Sequence, residues 1–424
     1  MTSHSATPDV AQIPDDPDEI IAAVLSGQGQ SDPYAYYDKL RQTAPFHRSI
    51  LPGTPYFLTR YEDVDAMFRS ELIGHGEDQP LLRANPRFER SVALQDIAGS
   101  MAEMDPPQHT RLRSLVNRVF TPKTVAGMSG YITELTDQVL ADLDGKDEFD
   151  IVPAISYRIP SSVTSEMLGV PRGDHKLFSE WIHTTAGIFG PGLTEAELIK
   201  IDDAVGKFQD YLRELIVERK KNLREGDFLS ELIQASVDGG KLDEMELIHM
   251  CTLLLGAGTE TTETLIAMGM TSLLENPDQK VRLSEDPSLA PFAIEEFLRH
   301  NGPALQARTR IALDDVTLPG GTIPKGTPII GVIAAANHDP EVFTDPQTLD
   351  IGRSPNPHLG FGGGIHMCLG ARLSRHEGAY VINTLLERFP EMRLAGEPEW
   401  STGGGGGVRA IESVPVNVAG VDGR

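Results

Sequence analysis

The sequence predicts a mainly α-helical protein with a smaller β region, class α+β. Over residues 109–274 apolar residues recur at helical spacing, and prolines interrupt them. Over residues 309–335 the pattern changes to short β-type runs, which Pro319-Gly320-Gly321 and Pro324-Lys325-Gly326 break. No internal repeat and no shift of composition marks a linker. These observations predict one helical body with short strands added.

Composition limits the classes of partner. The 424 residues are 40 % hydrophobic and 23 % charged, which is ordinary for a globular protein. With 62 acidic and 37 basic residues the net charge is −25, which argues against binding to nucleic acid or an anionic membrane. The first 20 residues lack the basic start and apolar core of a secretory signal, and the longest apolar stretch, residues 329–336, is too short to span a bilayer. We expect a cytoplasmic protein without a membrane anchor.

The composition of the sequence predicts two unequal parts. Residues 1–30 are polar and acidic, and they predict a loosely ordered lead-in, whereas residues 31–424 predict a single domain. Cysteines are rare, since only Cys251 and Cys368 occur. Two cysteines exclude a larger disulfide framework, an iron–sulfur cluster and a cysteine-rich zinc site. Low cysteine usage fits a reducing compartment.

One long helix with small residues at its centre is predicted from Asp243 to Glu275, about 50 Å at 1.5 Å per residue. Its middle carries Gly256-Ala257-Gly258, followed by Thr259-Glu260-Thr261. Small residues allow a flat ligand to approach the backbone and permit a local bulge, and a carboxylate beside a hydroxyl can relay protons. A helix–helix crossing with a solvated glutamate explains the same residues.

A glycine run precedes Cys368. Gly362-Gly363-Gly364 has neither helix nor strand propensity, and it delivers the cysteine to the start of a helix, where amide groups favour a thiolate. A phosphate-binding loop would need a different glycine pattern. A zinc site with His358, His366 and Cys368 has no evident fourth ligand nearby. A buried structural cysteine leaves the glycines and His366 unexplained.

These residues resemble the cytochrome P450 family of haem-thiolate monooxygenases. Residues 361–370 match the family's pattern F-G-x-G-x-H/R-x-C-x-G, residues 257–261 match A/G-G-x-D/E-T, and residues 296–299 match E-x-x-R. The resemblance runs from about residue 30 to the C-terminus. It implies the single-domain P450 fold, a triangular helical prism that holds haem between the long helix and the cysteine loop.

The resemblance also implies roles for individual residues. Cys368 would be the metal ligand of haem b (iron protoporphyrin IX), and Glu260 and Thr261 would deliver protons and water. Many members have Asp at the position of Glu260. Glu296, Arg299 and Arg353 would form a buried structural ion network. The other implied cofactor contacts, of which the cationic ones would pair with the haem propionates, are His109, Arg113, Ala257, Arg310, Phe361, Gly362, His366 and Gly370.

The activity implied is insertion of one oxygen atom from O2 into an apolar small molecule, by hydroxylation or epoxidation. The chain has no flavin or nicotinamide fingerprint, so electrons would come from a separate ferredoxin and its NAD(P)H-dependent reductase. Docking is expected near Arg113 and Arg375, with Arg372 and Arg118 as further candidates, and the protein is expected to be a monomer. A peroxygenase driven by H2O2 and a non-catalytic haem-binding or sensor protein remain alternatives.

The substrate pocket is expected to be lined by Leu253 and Gly256 of the long helix and by Leu305 and Gln306. Phe178 and Trp181 fit either an apolar chamber or ordinary core packing. The glycine run at residues 403–407 falls where the family has a hairpin tip near the substrate, and a surface turn explains it as well. The sequence identifies no particular substrate.

Overall fold

Helices dominate the fold. The computed structural model describes residues 13–26, 32–189, 193–224, 226–239, 242–401 and 407–419. The α-helices in this part of the chain are α1 (Pro17–Leu25), α2 (Tyr34–Thr43), α3 (Tyr61–Arg69), α4 (Pro80–Arg83), α5 (Val92–Gly99), α6 (Gln108–Val119), α7 (Pro122–Gly127), α8 (Ser129–Ala141), α9 (Ile159–Met167), α10 (His175–Ala186), α11 (Glu195–Lys221), α12 (Phe228–Gly239), α13 (Glu244–Glu275), α14 (Pro277–Glu285), α15 (Ala290–His300), α16 (Ile333–Ala336) and α17 (Ala371–Arg388). The predicted fold class is confirmed.

The β region is made of short strands. They are β1 (Phe46–Arg48), β2 (Tyr56–Leu58), β3 (Ile73–Gly74), β4 (Glu148–Asp150), β5 (Arg310–Ala312), β6 (Val316–Leu318), β7 (Gly321–Ile323), β8 (Pro328–Gly331), β9 (Arg393–Leu394), β10 (Glu399–Trp400), β11 (Ile411–Ser413) and β12 (Pro415–Asn417). The largest sheet has the order β1-β2-β8-β5-β3, in which only β2 and β8 are parallel. A second sheet has the order β4-β12-β9, and β6-β7 and β10-β11 are antiparallel pairs.

Helix α1 corrects the prediction of a loosely ordered lead-in. The Asp16 side chain caps this helix by accepting hydrogen bonds from the N–H groups of Asp18 and Glu19. Ile20, Ile21 and Val24 lie on its buried face, in a core cluster that it shares with Tyr37 and Leu40 of α2. The overall polarity of the segment concealed apolar residues at positions i, i+1 and i+4. Residues 1–12 and 27–31 lie outside the described part.

Helix α13 is the centre of the fold and agrees closely with its prediction. Asp243 and Glu246 form a capping box at its start, and Asn276 caps its end immediately before Pro277. It is α-helical throughout, without the local bulge that its glycines permit. A Cβ on Gly258 would lie 2.9 Å from Cγ2 of Thr164 in α9. Gly258 therefore allows α13 and α9 to cross closely, which is one of the two interpretations that the sequence left open.

The C-terminal strands belong to two different sheets. Strand β11 pairs with β10, whereas β12 joins the separate sheet with β4 and β9. Residues 402–406 lie outside the described part, and with them most of the glycine run. Gly407 is described, and its carbonyl accepts hydrogen bonds from the N–H groups of Leu305 and Gln306. None of the described helices has the length and apolar character needed to cross a bilayer.

Candidate active site

A cavity lies between α13 and the residues that precede α17. Its lining includes Thr261 and all of the cofactor contacts expected from the sequence, which are His109, Arg113, Ala257, Arg310, Phe361, Gly362, His366, Cys368 and Gly370. These residues come from α6, α13, β5 and the segment at 361–370, which we call the Cys loop. The fold therefore brings together side chains that are far apart in the sequence.

The Cys loop is shaped by two glycines and a contact with α3. Gly362 and Gly364 have φ values of +68° and +63°, a region that side chains with a Cβ rarely adopt. A Cβ on Gly364 would collide with the carbonyl oxygen of Phe68. The N–H of Cys368 donates to the carbonyl of Phe361 at 2.9 Å, which closes the loop. The backbone thus fixes where the cysteine faces the cavity.

The Cys368 side chain is exposed and lines the cavity. Burial raises its pKa, while hydrogen bonds from the amides of Gly370 and Ala371 and the charge of Arg113 act in the opposite direction. These groups would stabilise a thiolate once a metal ion displaces the proton. His358 does not join a zinc site here, because its Nε2 lies 2.9 Å from Glu295 and its Nδ1 accepts from the N–H of Gly360.

Several His and Arg side chains at or beside the cavity have polar atoms without a hydrogen-bond partner among the described residues. Both ring nitrogens of His109, Nε2 of His366, Nε2 of His75 and Nε of Arg310 are buried and make no hydrogen bond. The rings of His109 and His366 lie 4.2 Å apart. Burial and the charge of Arg310 lower the pKa of His366 to about 2. Buried donors almost always have acceptors. The carboxylates of haem propionates would provide them, so these residues fit the group.

A metal ion is the other ligand to consider at this cluster. Ligand atoms of His75, Asp105 and His366 lie within 4.8 Å of one another, which is close enough to share an ion. However, the Asp105 carboxylate already accepts hydrogen bonds of 2.8–3.0 Å from the N–H groups of His75 and Gly76. Arg310 would also repel a cation. The cluster therefore suits an anion better than a metal ion.

Arg113 joins the cavity to the Cys loop. It lines the cavity, and its Nη2 donates to the carbonyl of Met367 at 2.7 Å. The side chain is therefore tied to the loop that carries the cysteine, rather than being a free surface cation. This position allows one guanidinium to contact both a cavity anion and the backbone beside Cys368.

Glu260 and Thr261 of α13 lie in different environments. Thr261 lines the cavity, and its hydroxyl donates to the carbonyl of Ala257 at 2.8 Å, which leaves its oxygen free to accept a hydrogen bond. Glu260 does not line the cavity. Burial raises the pKa of the Glu260 carboxyl above its ordinary value, and the charge of the nearby His183 on α10 offsets only part of this shift. Glu260 is therefore largely enclosed, which differs from the solvated glutamate of the alternative reading.

The predicted ion network is assembled behind the Cys loop. Arg299 donates to both oxygens of Glu296 at 2.7 and 2.8 Å, and Nε of Arg353 lies 3.1 Å from both. Asn356 and the N–H of Asp350 donate to the same carboxylate. Both arginines also donate to backbone carbonyls between residues 337 and 348. The network thus fixes the backbone that leads to the Cys loop.

The structure places the four residues expected in the substrate pocket in different surroundings. Leu253 and Gln306 line the cavity, whereas Gly256 and Leu305 do not. Leu305 is 5 % exposed and packs in the core cluster that contains α1 and α2, because adjacent residues of an extended segment face opposite sides. At 3.6 residues per turn, Gly256 lies about 160° around the helix from Leu254 and about 140° from Thr261, both of which line the cavity. Phe178 is fully buried and packs against Trp181, so core packing explains it.

Sequence reasoning missed several polar groups of the site. Arg308 lines the cavity and pairs with the buried Glu103, which also pairs with His75. Glu377 of α17 is 2 % exposed and lines the cavity, and its Oε1 has no partner within the described part of the chain. No motif marks these residues. Only their position in the folded chain shows that they belong to the site.

Comparisons with known proteins agree with this geometry. The sequence profile of the family described as Cytochrome P450 matches residues 20–399. The polyketide biosynthesis cytochrome P450 PksS of Bacillus subtilis is 33 % identical, over 92 % of this chain and 96 % of that protein. The vitamin D(3) 25-hydroxylase of Pseudonocardia autotrophica is 38 % identical, over 88 % of this chain and 90 % of that enzyme.

A solved structure shares the fold. P450BioI, in complex with an acyl carrier protein ligated to hexadec-9Z-enoic acid, superimposes with a TM-score of 0.84 and 32 % identity, over 92 % of this chain and 100 % of that one. The profile match covers most of the sequence, and the relatives are matched over nearly their whole length. The chain therefore belongs to the cytochrome P450 family of haem b monooxygenases.

Proposed function

We propose that this chain activates dioxygen with two electrons from a separate protein and oxidises an apolar small molecule. The observation that carries the proposal is that Cys368 and Thr261 line one cavity together with His109, Arg310 and His366, whose buried nitrogen atoms have no partner among the described residues. Bound haem b would supply the redox chemistry, with its iron held by Cys368. His109, Arg113, Arg310 and His366 would hold its propionates, since charge-assisted hydrogen bonds are strong.

Proton delivery is assigned to two residues of α13. The hydroxyl of Thr261 would accept a hydrogen bond from a water molecule or an oxygen ligand, because its own proton is directed to Ala257. Glu260 would hold and release protons behind it, and the raised pKa of this carboxyl favours its protonated form. Since Glu260 does not line the cavity, the proton must reach Thr261 through a side-chain rotation or through water.

An apolar substrate is supported by the cavity wall. Apolar side chains of several elements line it, including Phe68, Met101, Leu253, Leu254, Ala304 and Ile333. Gln306 is a polar exception, and its amide donates to the hydroxyl of Tyr37 at 3.0 Å. The relatives described above include a vitamin D(3) hydroxylase and a P450 bound to an acyl chain. We propose a hydrophobic small molecule as substrate, acted on by a cytoplasmic monomer.

A ferredoxin is proposed as the electron donor, docking on the outer face of the Cys loop. Arg375 is less available than expected, since it forms two hydrogen bonds with Glu295 and lies over the ring of Phe361. Arg118 and Arg372 are exposed. On the loop itself Ile365 and Met367 are 50 % and 46 % exposed. An apolar centre with basic residues near it suits an acidic partner.

Rising salt should weaken electron transfer, because exposed charges are screened. The rate of haem reduction by a ferredoxin is measured by stopped flow at increasing ionic strength. Arg372→Gln should slow reduction at low salt and reduce the salt dependence, while Arg83→Gln, an exposed arginine of α4, should leave both unchanged. A rate that is independent of salt would contradict this docking surface.

The ligand and the activity are tested together. Reduced, CO-treated protein should show the red-shifted absorption band of a thiolate-ligated haem. Cys368→Ser should lose that band, and Cys251→Ala, a change at the other cysteine, should keep it.

NAD(P)H consumption with surrogate ferredoxin and reductase is then measured across terpenes, steroids, fatty acids and macrolides. Turnover with H2O2 but none with electron donors would favour the peroxygenase, and turnover with neither would favour a haem-binding or sensor protein.

A further inference from the structure

Two thioether side chains belong to the wall of the cavity that contains Cys368 and Thr261. Among the described methionines, Met101 and Met167 line this cavity. Met101 begins a short turn between α5 and α6, and Met167 is the last residue of α9. They are 4 % and 5 % exposed, and both are otherwise packed in the main hydrophobic core. A small oxidant therefore reaches their sulfur atoms most directly from the cavity.

The crossing of α9 and α13 holds Met167 at the cavity wall. Met167 follows Thr164 by three residues, nearly one helical turn, and both residues line the cavity. The hydroxyl groups of Thr164 and Thr259 lie 3.1 Å apart, so this face of α9 is packed against the helix that carries Thr261. Met101 comes from a different segment of the chain. Two independent elements thus bring a thioether to the same cavity.

Other methionines provide internal references for the effect of position. Met250, Met268 and Met270 lie on the central helix α13, but they are at most 1 % exposed and do not line the cavity. Met245 and Met367 do not line it either, and they are 38 % and 46 % exposed. An oxidant produced in the cavity and an oxidant supplied from bulk solution should therefore reach different methionines first.

Hydrogen peroxide is the oxidant that such a cavity can produce. Turnover in which O2 takes up two electrons and two protons without oxidising a substrate releases H2O2 inside the cavity. The sulfur of a thioether attacks one peroxide oxygen, and the O–O bond breaks. One oxygen stays on sulfur, and the other leaves as water. Sulfur loses the two electrons that peroxide gains, so methionine and H2O2 give methionine sulfoxide and H2O.

Resting on the proposed function, we propose that Met101 and Met167 are oxidised to sulfoxides by peroxide that the enzyme itself releases, and that this modification weakens the binding of apolar ligands. Oxidation converts a flexible apolar side chain into a polar one. The surrounding wall includes the apolar side chains of Leu253 and Leu254. An apolar ligand would then cover the oxygen of the sulfoxide without giving it a hydrogen bond, which costs free energy.

Peptide mass spectrometry after turnover without substrate tests the modification. The haem-bound wild type receives surrogate ferredoxin, reductase, NAD(P)H and isotopically labelled O2, with catalase in solution to destroy peroxide that escapes. Labelled sulfoxide should accumulate at Met101 and Met167 and stay several-fold lower at Met270 and Met367. Peroxide added without electron donors should instead oxidise the exposed Met367 first. Labelling of Met101 and Met167 that does not exceed that of Met270 would overturn the proposal.

Leucine variants link the modification to ligand binding. Met101→Leu and Met167→Leu keep an apolar side chain of similar size that cannot form a sulfoxide. Phenylimidazole is the probe, and its Kd is read from the spectral shift of the surviving haem. In the wild type this Kd should rise several-fold after turnover without substrate, as it should in the control Met270→Leu. The variant with both changes should keep its starting Kd, and an equal rise there would contradict the effect on binding.

The same measurements separate this inference from the proposed function. If the wild type neither consumes NAD(P)H nor releases peroxide with the surrogate donors, the proposed function is contradicted and the inference with it. If NAD(P)H is consumed and peroxide is released while Met101 and Met167 stay unlabelled, the proposed function stands and the oxidation of these residues is refuted.

Discussion

The carboxylate of Glu296 and the guanidinium of Arg299 lie 2.7 Å apart, at a position where neither side chain is exposed. Arg353 is the second cation on the same carboxylate. The three residues come from α15 and from the segment before the Cys loop, so their pairing joins a helix to an irregular backbone. The ion pairs stabilise the protein only when every buried charge has a partner, because an isolated charge at this position cannot be hydrated.

Glu296→Gln should therefore destabilise the protein strongly, since it leaves the buried Arg299 and the largely buried Arg353 without their anion. We expect a loss of about 3–5 kcal/mol in the free energy of unfolding. Urea denaturation of the haem-bound protein, followed by haem absorbance, measures it. Arg158→Gln removes an exposed pair with Asp142, whose side chains are 42 % and 60 % exposed, and should cost less than about 1 kcal/mol. Equal losses in the two variants would contradict a structural role for the network.

Thr261→Ala should separate electron consumption from product formation. The variant lacks the hydroxyl oxygen that faces the cavity, so we expect NAD(P)H oxidation to continue while peroxide or water replaces product. Thr271→Ala is the matched control, because the Thr271 hydroxyl donates to Ala267 at 2.9 Å on the same helix and is buried away from the cavity. Product and peroxide are quantified per NAD(P)H. Full coupling in Thr261→Ala would remove this residue from the proton route.

Gly364→Ala should weaken haem binding. The backbone of Gly364 has φ +63°, and an added Cβ would collide with the carbonyl oxygen of Phe68, so the Cys loop must shift. Gly206→Ala in α11 adds a Cβ that no described residue approaches within 4 Å, and it should stabilise the helix by roughly 0.5–1 kcal/mol. Titration of each apoprotein with haem gives the haem affinity of the Gly364→Ala variant and of the Gly206→Ala control. Unaltered haem affinity in Gly364→Ala would show that the loop tolerates a side chain there.

Glu295 should contribute stability that depends on pH. Burial opposes its ionisation, but hydrogen bonds from Arg375 and His358 prevail and lower its pKa to about 2. A carboxyl whose pKa is depressed by folding stabilises the protein above its unfolded pKa, near 4.5, and this contribution is lost as the pH falls towards 2. The stability difference between wild type and Glu295→Gln should therefore shrink with acidification. A stability difference that does not change with pH would contradict the ion pairs assigned to Glu295.

Local signals explain which parts of the fold could be predicted. The bounds of α13 follow from Asp243 and Glu246 at its start and from Asn276-Pro277 at its end, because caps and prolines act on neighbouring residues. The Cys loop has a dense pattern within ten residues. Helix α1 was missed because its few apolar residues become informative only when α2 is packed against them.

The remaining parts of the site depend on contacts between distant segments. Leu305 and Gln306 are neighbours, yet only Gln306 lines the cavity, because adjacent residues of an extended segment face opposite sides. His75 and Glu377 carry no motif, and the sequence places neither beside the cysteine. Such residues acquire a role through tertiary packing, so periodicity and spacing cannot identify them.

The contact between Gly364 and Phe68 has a consequence for synthesis of the protein. Helix α3 is made early and the Cys loop is made near the end, yet the loop takes its shape against that helix. Contacts between remote segments form slowly, and domains begin to fold from the N-terminus during translation. We therefore expect cofactor capture to be a late event, so that a chain stalled before residue 361 would be helical but unable to retain haem.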